Sequence, residues 1–422
     1  MILRDPVHGL ISFGPGTERI VVRLLESREV QRLRRIRALG LAPLVFPGGE
    51  HSRFAHAVGA AHVMKRYLAR VRTLAHELDE RDRIDEDTER VALAAALLHD
   101  VGHGPYSHTF EAIVPHALPH ENWTSRILLD PDTDVHRTLA EFDASMPNRV
   151  ERLIHGQSPI AHLARAVSGT FDVDRCDYLM RDSHMTGVRY GLLDLDWLLA
   201  SLRLYRPVGS TTTVLAVDGE KGLTAVEQFF LARLYMYRQV YLHKALRAAE
   251  VLFRAIFRRL TELVPPPNTP PALAATLRGD AVSTSDYLAL DDPALDVALA
   301  QWADHDDAIL RSLAGRLRDR RLLKTVVLRP DASSEQAHSR LMTILREAGM
   351  TPSYLVAVDR VEVDAYTDDD ALVVLRGSGR VQHLLDASPL LRGLSRESFV
   401  HHRAVFPPEL RSQVTAALAD LT

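Results

Sequence analysis

The sequence predicts a mostly α protein, a helical core followed by a smaller α+β lobe. Three observations point there. Apolar residues recur at helical spacing from about Thr17 to Glu250. The tract Val264-Pro-Pro-Pro-Asn-Thr-Pro-Pro271 then breaks the pattern. Beyond it, helical stretches mix with short alternating or apolar runs of strand length. The tract divides the chain into a core, 1–263, and a C-terminal lobe, 272–422.

In chain order, Ile20, Val21, Leu24 and Leu25 form one apolar stripe, and Val30, Leu33, Ile36 and Leu39 a second. Residues 40–50 carry Pro43, Pro47, Gly48 and Gly49, and read as a loop. A long helix is expected from about Arg53 to Leu78, with small residues Gly59, Ala60 and Ala61 allowing close packing. An alanine- and leucine-rich helix follows from about Glu86 to Val101, ending at Gly102. Helical patterns return from about Pro159 to Leu204, interrupted at 187–191. A short strand is expected at 211–218, then a long helix from about Ala225 to Leu263. In the lobe, a helical stretch spans Asp292 to Leu317, and strands are expected at Leu323–Leu328, Tyr354–Val363 and Leu372–Leu375.

Composition narrows the class. The 422 residues are 46% hydrophobic and 25% charged, as in a globular protein with a large core. A net charge of -4 gives no basic footprint for nucleic acid. The single cysteine, Cys176, excludes an intrachain disulfide and suits a reducing compartment. The start, Met-Ile-Leu-Arg-Asp-Pro, has no secretory apolar region, and the run Val91–Leu98 is far too short to cross a bilayer. A cytoplasmic enzyme with no membrane partner is the expectation.

Most of the 20 histidines, among them His62, His76, His155 and His305, lie in no ligand-spaced cluster. The stretch from His51 to His108 differs. It holds His51-Ser-Arg-Phe-Ala-His56 and Leu97-Leu-His99-Asp100-Val-Gly-His103-Gly-Pro-Tyr-Ser-His108, and Phe171-Asp-Val-Asp174-Arg-Cys-Asp-Tyr178 follows later. His99 and Asp100 offer an imidazole nitrogen and a carboxylate oxygen from adjacent positions. His56 and Asp174 can complete a two-nitrogen, two-oxygen shell with positions left open. If the helix continues, His99 and His103 share a face. Polar groups gathered at the end of an apolar helix are costly to bury unless paired or metal-bound. A metal in such a shell can lower a water's pKa from about 15.7 to about 7 and polarise a phosphoryl oxygen.

The chain resembles the HD-domain phosphohydrolases, in the branch of the deoxynucleoside triphosphate triphosphohydrolases. The landmarks are Asp5-Pro-Val-His-Gly9, Gln31-Arg-Leu-Arg34, Val45-Phe-Pro-Gly48, the 51–59 and 97–108 motifs, Asp172-Val-Asp174, Asp177-Tyr178, Arg181-Asp182, Tyr241-Leu-His-Lys244 and Gln301-Trp-Ala303. They cover roughly residues 1–330. The resemblance implies an HD-domain core with His56, His99, Asp100 and Asp174 as ligands of one divalent transition metal. Two imidazoles favour Mn²⁺, Fe²⁺, Zn²⁺, Co²⁺ or Ni²⁺, with additional Mg²⁺ on substrate phosphates. Arg53 would grip a phosphate bidentately. His103, His108 and His120 would surround the scissile bond. His108 would donate a proton to the leaving sugar oxygen, oriented by Glu111, where eukaryotic members carry aspartate.

The implied reaction is hydrolysis of a (deoxy)nucleoside triphosphate at the α-phosphorus, giving a nucleoside and triphosphate. Asp174, Tyr178 and Asp182, four apart, line one helical face and suit a nucleotide cradle. The stripe Arg233, Tyr237, Tyr241 and Lys244 resembles the family's wall over the sugar and phosphates. Tyr237 stands where many relatives have histidine. Leu39 and Tyr241 resemble the pair that excludes a 2′-hydroxyl. Ala38 stands where the family has a glutamine contacting the 3′-hydroxyl, which leaves ribose against deoxyribose open. Glu26, Gln31 and Arg34 approximate a guanine-reading pocket for an activating nucleotide, and a homodimer or homotetramer is implied by resemblance. Another HD-type activity (phosphodiesterase, phosphatase or alarmone hydrolase) and a silent nucleotide sensor remain alternatives at this point.

Overall fold

The computed structural model describes the chain apart from residues 365, 367–372 and 376–380, and apart from the side chains of Glu77, Arg81, Pro352 and Val373. Three helices build the centre. The first, Arg53–Thr73, starts at Ser52, whose hydroxyl accepts from the Ala55 amide. The second, Glu86–Leu98, is capped by Asp85 and buries every residue from Val91 to Leu98. The third, Val173–Thr186, is capped by Asp172 and ends at Gly187 with φ 77°. The first helix packs against both others. It lies so near the third that a Cβ at position 59 would overlap Asp177 and Arg181. The glycine expected to allow close packing is therefore obligatory there.

Two of the three central helices, the first and the second, end earlier than their apolar patterns. The first stops at Thr73 and gives way to a short turn of 3-10 helix, Ala75–Glu77. The second stops at Leu98, so His103 lies in a loop and not on a continued helical face. The expected 225–263 helix is two helices, Leu223–Met236 and Lys244–Glu262. They are joined by a π-helical turn, Tyr237–Tyr241, with His243 capping the second. Between residues 120 and 154, three helices wrap the core: His120–Leu129, Asp134–Phe142 and Met146–Ile154.

At the N-terminus, strands Ile2–Asp5 and Gly9–Ser12 form a hairpin that no apolar pattern announced. Leu202–Tyr205, read from sequence as the end of a helical stretch, is a strand paired antiparallel with Val214–Asp218. Val214–Asp218 also pairs in parallel with Val373–Leu375, so this sheet joins the core to the lobe. Leu372, the first residue of that expected run, lies outside the described residues. The lobe's second sheet places Ser398–Phe406 between Lys324–Val327 and Ala357–Asp364, with Ser334–Glu347 packed on it. The fold is thus a mostly helical core with a smaller α+β lobe. A second hydrophobic cluster gathers Lys244–Glu262 with Asp292–Trp302 and Ala308–Arg318, and takes in Leu41, Tyr106 and Trp123. Among the described residues, no helix is long and apolar enough to cross a membrane.

Candidate metal centre

The C-terminal end of Glu86–Leu98 points at the N-terminal turns of the other two central helices, and four donor groups meet there. His56 Nε2 lies 2.9 Å from Asp174 Oδ1, 3.3 Å from His99 Nε2 and 3.5 Å from Asp100 Oδ2. His99 Nε2 is 3.5 Å from both Asp100 Oδ2 and Asp174 Oδ1. Ligands bonded at about 2.1 Å to one ion stand roughly 3.0–3.4 Å apart at right or tetrahedral angles. The four donors therefore fit a shared divalent cation, with two nitrogens and two oxygens in its shell.

The electrostatics agree. Burial disfavours charge on His56, yet its bonds to Asp174 and Asp177 outweigh that and push its pKa up to about 10. Burial likewise opposes charge on Asp174 and Asp100. The imidazoles and Arg53 overcome it and hold both carboxyls below the usual range. Burial and the neighbouring Asp174 push Asp172 up to about 7. The pocket is built to stabilise positive charge.

Behind His56 stands a buried network. His56 Nδ1 is 2.8 Å from Asp177 Oδ2, and Asp177 Oδ1 is 2.7 Å from His8 Nε2. The Arg181 guanidinium donates to both Asp177 oxygens at 2.8 Å and to Asp5 Oδ2 at 2.7 Å. A ligand imidazole bonded to a carboxylate through its second nitrogen is the usual way such a ring is oriented. His99 is held similarly, with Nδ1 3.0 Å from the Ala96 carbonyl oxygen.

Beside Asp100 lies a second cluster. His103 is fully buried, with Nε2 3.3 Å from Asp100 Oδ1. Its ring stacks on His120 at 3.8 Å and meets His108 edge-on at 4.6 Å. Glu111 lies 2.5 Å from His108 Nδ1 and 3.0 Å from His120 Nδ1, and accepts from the His120 amide at 2.7 Å. Burial raises the Glu111 pKa, but these two imidazoles outweigh it and keep the carboxyl well below its ordinary range. Arg53 pairs with Asp100 and donates to Ser107 Oγ at 2.8 Å.

The 100–107 loop is a strained connector. Tyr106 and Ser107 have φ of 55° and 58°, in the region unfavourable for residues other than glycine. Arg32, fully buried, donates to the His103 carbonyl at 2.8 Å and to the Leu290 carbonyl. The Tyr106 amide donates to Asp292 at 2.8 Å, and its hydroxyl bonds Asp296. Sequence reasoning singled out neither Asp292 nor Asp296, and no local spacing marks them, while Arg32 lay within the Gln31–Arg34 motif without a role. Asp5, His8, Asp177 and Arg181 did lie within motifs, but without a role.

On the far side of the metal donors, Tyr178, Tyr241 and Tyr237 form an aromatic row. The Tyr178 and Tyr241 rings are 6.3 Å apart, those of Tyr237 and Tyr241 5.1 Å. Arg233 lies 5.1 Å over Tyr237. Asp182 accepts from Tyr241 Oη at 2.7 Å and pairs with His51 at 2.9 Å. Lys244 is exposed at the start of its helix, and Leu39 packs against both large cores. Glu26 is exposed. Gln31 donates to the Leu25 carbonyl at 2.6 Å, while Arg34 donates to Gln31 and covers the Phe54 ring. These three residues lie on the segment before the Arg53–Thr73 helix.

The HD domain family matches residues 53–168 and the HD associated region matches 200–421. The Bacillus subtilis protein YwfO is 32% identical over 421 residues, covering 97% of this chain and 92% of YwfO. The chain belongs to the HD-domain phosphohydrolases. Within that family it is similar to human SAMHD1, a deoxynucleoside triphosphate triphosphohydrolase, at 27% identity over 296 residues. That match covers 62% of this chain but only 45% of SAMHD1. A crystal structure of a phosphohydrolase from Bacteroides thetaiotaomicron superposes with a TM-score of 0.82 at 26% identity, over 96% of this chain and 99% of that one. This HD-domain protein is accordingly a hydrolase with a divalent-metal centre.

Proposed function

We propose that the protein hydrolyses nucleoside triphosphates, dNTPs by preference, at the α-phosphorus to release a nucleoside and inorganic triphosphate. The observation that carries this reading is the proton-donating pair His108–Glu111 lying within the same histidine cluster as His103, which adjoins the ligand Asp100. A bound divalent ion, held by His56, His99, Asp100 and Asp174, would supply an activated water and polarise the phosphoryl oxygen. The native ion is proposed to be Mn²⁺ or another of Fe²⁺, Zn²⁺, Co²⁺ and Ni²⁺.

The protein's own groups do the rest. Arg53, already against Asp100, has N–H groups left to meet an oxygen of the same phosphate. His108 has Nδ1 engaged by Glu111, so Nε2 is the nitrogen that can protonate the departing 5′-oxygen. Stacked His103 and His120 close the cluster. Tyr178, Tyr237 and Tyr241 offer faces to the sugar, Asp182 offers oxygens to its hydroxyl, and Arg233 and Lys244 offer charge to the distal phosphates. Leu39 and Tyr241 support deoxyribose. An activating nucleotide near Glu26, Gln31 and Arg34, a homodimer or homotetramer, a cytoplasmic location and a catalytic unit within 1–263 belong to the same proposal.

The test is product analysis by anion-exchange chromatography with Mn²⁺ or Mg²⁺ and each of the four dNTPs and four NTPs, singly and mixed. Nucleoside plus triphosphate is expected, abolished by Asp174→Ala. Release of monophosphate, diphosphate or orthophosphate would instead assign a phosphodiesterase or phosphatase. Turnover only in mixtures would reveal activation.

A further inference from the structure

The N-terminal hairpin lies outside the region matched by the HD domain family, 53–168, yet two of its residues reach the back of the metal centre. Asp5 Oδ1 accepts from the amides of Val7 and His8 at 2.9 Å, which closes the turn and aims His8 inward. His8 is 4% exposed at its side chain, and its Nε2 lies 2.7 Å from Asp177 Oδ1. Asp5 Oδ2 holds Arg181. Asp177 is thereby gripped from three sides: by Arg181, by His56 and by a ring 169 positions away.

We infer that the hairpin is a working part of the metal centre, with His8 a positioning residue that acts on His56 through Asp177. Arg181 neutralises Asp177, and its two-pronged contact fixes the carboxylate plane while leaving each oxygen a lone pair for a further partner. His8 donates to Oδ1 alone. That leaves Oδ2 facing His56 Nδ1, which fixes the tautomer with a free Nε2 lone pair directed at the metal position. Burial of Asp177 makes the contact consequential, because a weakened partner there is not replaced by water.

The inference rests on the metal-centre reading, and the experiment separates the two. Full-length protein is stripped with chelator and reloaded with Mn²⁺; metal content and affinity are then measured by elemental analysis and chelator competition. His8→Phe keeps an aromatic ring but no donor, and is expected to lose Mn²⁺ affinity at least about tenfold. His8→Gln, whose amide can still donate to Asp177, is expected to recover most of it. Thermal midpoints of the metal-free variants should stay near wild type. Equal Mn²⁺ affinity in wild type and His8→Phe overturns the inference, as does equal loss in both variants with a lowered metal-free midpoint. Should His8→Phe fail to fold, His8→Met takes its place in the same comparison. A wild-type protein that binds no divalent ion removes the metal-centre reading itself.

Discussion

At Gly59 a missing methyl group decides whether the back of the metal centre can form. The Arg53–Thr73 helix carries His56 as a candidate metal donor, and one turn later it meets the Asp177–Arg181 pair with no room for a Cβ. Gly59→Ala must either push the helices apart or displace Asp177, on which His56 depends. Forced overpacking of this kind typically costs about 1–3 kcal/mol. The expected outcome is a lowered thermal midpoint together with weaker Mn²⁺ retention. An alanine variant that matches wild type in both would show that the network tolerates the displacement. The four candidate donors were legible in the sequence because His51–His56, His99–His108 and Asp172–Asp174 are dense and mutually spaced. Their supports were not. Nothing local tells that residue 8 meets residue 177, since only tertiary packing brings them together.

Among the elements, the loop from Asp100 to Ser107 links the candidate metal donors to the histidine cluster with little regular structure of its own. The apolar pattern ran to Val101, yet the helix stops at Leu98. Gly102 must pass close to the His120–Leu129 helix, where Thr124 Oγ1 accepts from the Gly102 amide and donates to the His99 carbonyl, both at 3.1 Å. The side chain that ends the helix lies 25 residues away from His99, so periodicity could not see it. The break at 237–243 escaped for a related reason: apolar spacing continues on both sides, and only His243 as a cap marks it. The loop's strained backbone needs outside ties, and buried Arg32 is one. Arg32→Met would leave the carbonyls of His103 and Leu290 without their donor, a loss on the order of 2–5 kcal/mol for two buried acceptors. Because the loop positions His103 and His108, while His56 and Asp174 lie on separate helices, turnover should fall further than Mn²⁺ affinity. Kinetics and metal content on one folded preparation check this; parallel loss of both would place Arg32 under the whole centre.

For the whole molecule, the proline tract proves a weaker divider than its composition suggests. Asp292 and Asp296, beyond it, bond Tyr106 of the 100–107 loop, Leu290 accepts from the Arg32 that ties that loop, and the Val214–Asp218 strand pairs with Val373–Leu375 of the lobe. The helical class and the α+β lobe were readable from periodicity and strand-length runs, whereas this interlocking depends on contacts across hundreds of positions. A molecule joined in this way shares its acid sensitivity. His62 is held neutral by burial and by its neighbours His8, Arg66 and Lys65, against the pull of Asp177, and its pKa falls to about 4. Burial also lowers His162, which sits between Tyr67 and the Asp82 carbonyl. Both rings bind a proton more readily unfolded, near pH 6.5, than folded. Their contribution to stability is therefore fully present above about pH 6.5 and is lost as pH falls, for His62 through the window down to about 4. Between pH 7.5 and pH 5 the thermal midpoint of metal-free wild type should fall relative to that of His62→Gln, which removes one such ring, while the raised pKa values of His56 and Asp172 act in the opposite sense in both proteins. Identical shifts in the two proteins would mean that His62 takes up its proton without opening the fold, and that the acid sensitivity resides in other groups.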